Sequence, residues 1–224
     1  MSEVMDPIKN PVVTIAVMDQ IAKTDVPTET PLHHRNLGQR ANPNAGKTEG
    51  VVVARELPLL GHLVIRGNAD DPAFRSGIEI ALDMPLPGAL QSEQNDDLSI
   101  RWISPDEWLL ICPFEKSFEV ELALRNSLKG HYSVVNASGG QTVLRLSGSN
   151  AVNVLKKSVP YDFHDSKFPV GKVITTVMAK TQAVIRRVAK DEWELVIRRS
   201  FADYAWRWLE DAGSEYGFEV KAAK

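Results

Sequence analysis

Two stretches of this chain present the same features in the same order, which is the mark of a structural unit used twice. The first copy opens with Leu63-Val64-Ile65-Arg66-Gly67-Asn68 and the second with Leu144-Arg145-Leu146-Ser147-Gly148-Ser149-Asn150. Each run has strand character and breaks at a glycine. A helical stretch follows. Asp71-Pro72 marks its start in the first copy, where Phe74, Ile78 and Ala81 share a face. Ser149 is the corresponding cap in the second, ahead of Ala151, Val154 and Leu155. Both copies then reach a proline turn ending in glycine, Leu86-Pro87-Gly88 and Phe168-Pro169-Val170-Gly171.

The strongest internal match comes next. Residues Trp102 to Ile111 pair with Arg187 to Ile197, each reading as a β-hairpin with acidic turn residues and a Trp opening the second strand. The copies keep step over this distance: 81 residues separate Gly67 from Gly148, and 85 separate Trp108 from Trp193. A helix closes each copy. In the first, Phe118, Val120, Leu122, Leu124 and Leu128 give a broad apolar face. In the second, Phe201, Tyr204, Ala205, Trp208, Leu209 and Ala212 form the expected face, with Ser200 and Asp203 as a capping box. Phe218 to Val220 leaves room for a last strand. The order strand–helix–strand–strand–helix–strand predicts an α+β fold of two tandem ferredoxin-like split βαβ repeats. They are expected at about 51–132 and 133–224, together forming one domain.

Residues 1–50 differ. All 16 aromatic residues lie after position 50, beginning with Phe74, and this segment carries five prolines. With little large apolar surface to offset ordering entropy, it reads as an irregular N-terminal arm, extended or ordered by a partner. Val12 to Ile21 is the possible exception. No basic opening region precedes that short apolar run, so no signal peptide is expected, and no apolar run approaches the ~20 residues of a membrane span. A cytoplasmic protein is expected.

Charge and cysteine content narrow the function. Twenty-six basic against 29 acidic residues give a net charge of −3, with no electrostatic reason to expect nucleic acid or an anionic membrane as partner. A single cysteine, Cys112, excludes an internal disulfide and any cysteine-only metal or iron–sulfur site. Cys112 follows an apolar strand and reads as a buried, inert thiol.

Polar clusters are few. In Tyr161-Asp162-Phe163-His164-Asp165, Asp162 and His164 read as an acid–base pair or two metal ligands, or else as a polar loop whose Asp caps a turn. His33-His34 lacks a converging third ligand and reads as a solvated pair. Ser138-Gly139-Gly140 reads as an anion cradle or, more simply, as a turn feeding the strand Thr142 to Leu146. Arg186-Arg187 and Arg198-Arg199 read as strand-edge arginines that pair with carboxylates or contact a partner. Trp206 falls off the expected apolar face, so it either meets another protein or packs under the N-terminal arm. No catalytic, cofactor-binding or metal-binding residue is assigned, and a binding module or enzyme subunit is expected.

The motif series resembles the gamma subunit of heterotetrameric sarcosine oxidase. The matching segments are Leu60 to Gly67, Pro105 to Leu110, Val143 to Gly148, Pro160 to His164, Phe168 to Gly171, and Arg199 to Ala202 continuing through Trp206 and Leu209. They span about 55–217. Asn136 stands where that family often has an acidic residue, and no cysteine lies near Pro160. The resemblance implies a fold similar to the folate-binding domain of the glycine-cleavage aminomethyltransferase. It also implies a place beside alpha, beta and delta subunits in a complex that oxidises sarcosine to glycine. The products would be formaldehyde or 5,10-methylenetetrahydrofolate, and hydrogen peroxide. FAD, FMN, NAD and tetrahydrofolate would be held by the other subunits and none by this chain. Alternatives are a subunit of a related oxidase or dehydrogenase acting on N-methylglutamate or dimethylglycine, and a stand-alone folate-binding protein using Asp162. An iron–sulfur assembly relative would need a functional cysteine, and Cys112 has the wrong context.

Overall fold

Each copy supplies most of one sheet, and the two sheets pack face to face. The structure is a computed structural model and describes residues 27–222. The helix α1 (Leu37–Arg40) comes first, followed by β1 (Val52–Glu56), β2 (Leu60–Arg66), α2 (Pro72–Leu82), β3 (Ser92–Gln94), β4 (Ser99–Ser104), β5 (Glu107–Pro113), α3 (Ser117–Ser127) and β6 (Ser133–Asn136). Then come β7 (Gln141–Ser147), α4 (Ala151–Ser158), β8 (Val173–Met178), β9 (Thr181–Ala189), β10 (Glu192–Arg198), α5 (Ala202–Gly213) and β11 (Phe218–Val220). One sheet has the order β3-β4-β5-β2-β6, and the other β11-β1-β7-β10-β9-β8.

The strand pairings cross the expected repeat boundaries. β1 lies inside the expected first repeat yet pairs with β7 and β11 in the six-stranded sheet. β6 lies beyond the expected boundary at 132 yet pairs with β2 in the five-stranded sheet. Residues 27–50, expected as an arm that is extended or ordered by a partner, pack on the chain itself. Leu32 is buried in the second half's core, and its N–H donates to Glu56 Oε1 at 3.3 Å. Arg35 Nε donates to Asp203 Oδ1 at 2.5 Å. The proposed exception at Val12 to Ile21 lies outside the described residues.

Strand alternation explains the layers. In β5, Trp108 and Leu110 face α2 and α3, while Leu109 and Ile111 face the other sheet. In β10, Trp193, Leu195 and Ile197 face α4 and α5, while Val196 faces inward between the sheets. The result is four layers, helices–sheet–sheet–helices, with an apolar core under each helical pair and a smaller one between the sheets.

Two helix faces differ from the sequence expectation. In α5 the buried residues are Ala202, Ala205, Trp206, Leu209 and Gly213, so the apolar stripe is turned toward Trp206 and away from Trp208. Trp206 is fully buried in the chain's own core, its ring edge-on to Phe218 at 5.9 Å, in the same apolar cluster as Leu32 of the arm, and is not an exposed contact. The Ser200–Asp203 capping box does not form. A short 3-10 turn (Arg199–Phe201) precedes α5, and Asp203 binds Arg35 and His34 instead. In α3, Leu122 faces outward, while Glu121 is buried and held by Arg125 at 2.7 Å. Ser149 is not the cap of α4, which begins after Asn150 without a side-chain cap bond. Asp71 does cap α2, accepting from Ala73 N–H at 2.9 Å.

The duplication extends to the backbone. Gly67 N–H donates to Asp106 O at 3.1 Å, and Gly148 N–H donates to Asp191 O at 3.0 Å, so each strand-ending glycine is tied to its copy's hairpin turn. Gly148 has φ +106°, and a Cβ there would sit 2.2 Å from Val51 O. Gly148→Ala is therefore expected to cost about 2–4 kcal/mol, since both conformation and space exclude a methyl group. Gly139→Ala, with open space around it, should change urea stability by less than about 0.5 kcal/mol. Equal midpoints for the two variants would count against this reading of the strand end.

Candidate functional site

The polar side of the inter-sheet layer is built around Glu194. It lies in the middle of β10, whose other residues from Trp193 to Ile197 are apolar and buried. Register places Arg145 of β7 opposite it on one side and Arg186 of β9 opposite it on the other. Arg101 of β4 reaches across from the five-stranded sheet. Arg101 Nη2 donates to Glu194 Oε2, and Arg145 Nη2 donates to Glu194 Oε1. Arg186 Nη1 stands 3.8 Å from Oε2. Arg145 also meets Glu192 at 3.0 Å.

Burial makes this cluster consequential. Arg101 is 2% exposed and Glu194 4% exposed. Burial alone would push the Glu194 carboxyl up, but Arg101, Arg145 and Arg186 outweigh it and hold it below the ordinary carboxylate range. Burial lowers the Arg186 guanidinium to about 10, with the Arg101 charge acting in the same direction. Ser99 Oγ accepts from Arg186 Nη1 at 3.2 Å and from Arg101 Nε at 3.3 Å. Ser92 Oγ accepts from Arg186 Nε at 2.8 Å and donates to Gly171 O at 2.6 Å, tying the sheet edges together.

His62 adjoins this layer. The neutral ring donates from Nδ1 to Leu60 O at 3.1 Å, and its backbone N–H donates to Ser138 Oγ at 3.0 Å. Burial, and then the Arg101 charge, push the imidazole down to about 4.

The residues singled out in sequence are scattered around this centre. Asp162 Oδ1 accepts from His164 N–H at 2.9 Å, and His164 Nδ1 meets Ser166 Oγ at 2.8 Å, so the pair shapes an exposed loop. Asp165 pairs with Arg187 at 2.7 Å. Arg186 and Arg187 are buried in the interior of β9 and are not strand-edge residues, while Arg198 and Arg199 are exposed. Ser138–Gly140 is a 3-10 turn entering β7, and Asn136 Oδ1 accepts from Ser138 Oγ at 2.5 Å. His34 meets Asp203 at 2.9 Å, and His33 lies 3.6 Å from Glu29. Cys112 is buried, and burial pushes its thiol up to about 11, disfavouring the reactive thiolate. Among the described residues no three His, Cys, Asp or Glu side chains converge as a metal site, and no helix is long and apolar enough to cross a membrane.

Sequence reasoning missed Glu194, Arg145 and Arg101. The available signal was a single carboxylate in an otherwise apolar strand, Trp193-Glu194-Leu195-Val196-Ile197, beside a lone arginine in Leu144-Arg145-Leu146.

Comparison with known proteins is consistent across sequence and structure. The model of the sarcosine oxidase, gamma subunit family matches residues 66–215. Sarcosine oxidase subunit gamma from Corynebacterium sp. (strain P-1) is 31% identical over 179 residues, covering 79% of this chain and 87% of that protein. The subunit from Arthrobacter sp is 30% identical over 174 residues, covering 76% and 84%. A chain of the solved heterotetrameric sarcosine oxidase from Corynebacterium sp. U-96, in complex with pyrrole 2-carboxylate, superposes with a TM-score of 0.74 at 26% identity, covering 84% of this chain and 96% of that one. The glycine cleavage system aminomethyltransferase T from Bartonella henselae gives a TM-score of 0.65 at 14% identity, over 86% of this chain and 58% of that one, a likeness of fold alone.

Two outcomes are expected of the inter-sheet layer. Glu194→Gln leaves three arginines facing a neutral amide and should cost about 3–5 kcal/mol in urea unfolding. A loss below about 1 kcal/mol would show that solvent already screens the cluster. For His62, the unfolded chain takes up a proton near pH 6.5 and the folded chain only near 4. Between those values the unfolded state binds more protons, so stability falls as pH falls, and above 6.5 the contribution is constant. The wild type should lose roughly 2–3 kcal/mol more than His62→Gln between pH 7 and pH 4. Parallel stability curves for the two proteins would refute a buried neutral imidazole.

Proposed function

Because this chain belongs to the sarcosine oxidase gamma subunit family, we propose that it is the non-catalytic gamma subunit of a heterotetrameric sarcosine oxidase. The observation that carries this reading is the match over residues 66–215, joined to a superposition that covers 96% of a chain in the solved heterotetramer. In this reading the partners are alpha, beta and delta subunits. They hold FAD, FMN, NAD and tetrahydrofolate, and the assembly oxidises sarcosine to glycine in the cytoplasm. The products are formaldehyde or 5,10-methylenetetrahydrofolate, and hydrogen peroxide. The amine is selected at a flavin in another subunit, so a complex acting on a related N-methyl amine would use a chain of the same design.

The finer fold belongs to the same proposal. The order β4-β5-β2-β6 supports one ferredoxin-like repeat. The order β9-β10-β7-β11 supports a second, opened by the insertion of β1 between β7 and β11. A stand-alone folate protein using Asp162 draws little support, because that carboxylate caps its own exposed loop and lies away from the inter-sheet layer.

Native purification of this chain from its own cells tests the assignment. Three other chains and a flavin absorbance spectrum should accompany it. A colourless protein of one chain's mass, with no companions, would overturn it. A flavin spectrum bleached by sarcosine would identify the amine.

A further inference from the structure

The arginine–glutamate cluster is not closed on itself. Glu194 has committed Oε2 to Arg101 and Oε1 to Arg145, with Arg186 beside Oε2. Two buried guanidinium nitrogens in this cluster remain without a partner, Arg101 Nη1 and Arg145 Nε. Both side chains line a cavity of about 180 Å³ that also touches Arg186 and Glu194. A buried N–H without an acceptor is costly, and a bound acceptor would relieve that cost.

The chemistry of the walls specifies that acceptor. On this face Arg101, Arg145 and Arg186 are opposed by Glu194, with Glu192 beside Arg145 and Glu93 near Arg186, so the need for an acceptor comes from the two unpaired N–H groups and not from net charge. Of the two aspartates at the mouth, Asp97 is engaged by Lys116 at 2.5 Å and Asp96 is solvent-exposed. Guanidinium groups bind planar oxyanions through paired N–H donors, and the carboxylate is the planar member of that class. Leu57, Leu60 and Val143 form the apolar side of the cavity, matching an alkyl group. The volume lies below the ~300 Å³ at which drug-sized ligand pockets begin, so the ligand is small.

We propose that the cleft between the two sheets is a binding site for a small aliphatic carboxylate, held by Arg101 Nη1 and Arg145 Nε with its alkyl group against Leu57, Leu60 and Val143. The proposal stands whether or not the subunit assignment does. Occupancy would satisfy the two unpaired N–H groups and stabilise the folded chain increasingly as the ligand concentration rises.

The probe is sodium propionate, titrated calorimetrically into the protein as purified from its cells, against sodium chloride and sodium phosphate at equal ionic strength. Propionate should bind saturably and raise the thermal midpoint, and chloride and phosphate should not. Arg145→Met should weaken propionate at least tenfold. Since that variant removes a cluster member, Gln94→Trp serves as the second. Gln94 is an exposed β3 residue at the cavity mouth, and the indole would block entry with the arginines intact. It should fold normally and also lose at least tenfold in affinity. Arg66→Met, an exposed arginine paired with Asp106 outside the cleft, should bind as wild type does. The proposal is overturned if propionate behaves like chloride, if phosphate binds and propionate does not, or if Gln94→Trp folds and binds unchanged. Water alone on Arg101 Nη1 and Arg145 Nε in a propionate-soaked crystal would overturn it as well.

Discussion

The arrangement of the two sheets depends on one carboxylate. Glu194 receives Arg145 and Arg186 from its neighbouring strands and Arg101 from the opposite sheet. The apolar contact between the sheets is small by comparison, with Leu109, Ile111, Val143 and Val196 fully buried there. A few side chains of this kind, at roughly 1.5–3 kcal/mol each, can hold two sheets together. They do little to choose among alternative offsets, because apolar contact is non-directional. The ion cluster is directional. Its desolvation offsets much of its Coulomb attraction, so its contribution lies less in net stability than in excluding other sheet positions. Sliding one sheet by a strand-pair residue would leave Arg101 buried without Glu194.

This layer also marks where the sequence becomes hard to read. The duplicated strands, the glycine breaks and the paired Trp hairpins were legible because each is a local signal tied to backbone geometry. The face of β7 carrying Gln141, Val143 and Arg145 is hard to read from sequence for a physical reason. Alternation of apolar and polar residues reports which face is polar, and the usual inference is that the polar face meets water. Here it meets the equivalent face of the second sheet. Arg186 invited the same error, since its alternation with Ile185 looks like an exposed edge while the side chain is 6% exposed. For α5, both Trp206 and Trp208 offered an apolar anchor, and only packing against Phe218 decides which points inward. Asp162 and His164 were the opposite case. Their close spacing suggested chemistry, but spacing of two is also what an Asx turn requires.

The two copies are alike in their hairpins and unlike at their ends, and the difference binds the halves into one unit. Trp108 Nε1 donates to Pro87 O at 2.9 Å, whereas Trp193 lies under the Arg187 guanidinium at 5.1 Å and inside a cluster with Phe163 and Phe168. The second half therefore carries the larger aromatic core. It also takes in β1, which lies between β7 and β11 and would otherwise leave two unpaired edges in the middle of the sheet.

Residues 42–54 and 217–221 are stitched to each other at that point. Val52 N–H donates to Gly217 O at 2.9 Å, Lys221 N–H to Ala54 O at 2.9 Å, and Asn42 N–H to Val220 O at 2.8 Å. Glu56, at the end of β1, is buried. Burial pushes its carboxyl up, while hydrogen bonds from Thr30, Thr142 and Leu32 limit the rise. β1 is thus a strand of the six-stranded sheet and Leu32 a part of the core beneath it, although both come before β2, the strand that opens the five-stranded sheet's repeat. Neither copy can complete its sheets from its own residues. The duplicated units are repeats in sequence but one cooperative body in space, and Glu194 with its three arginines fixes how the two sheets of that body meet.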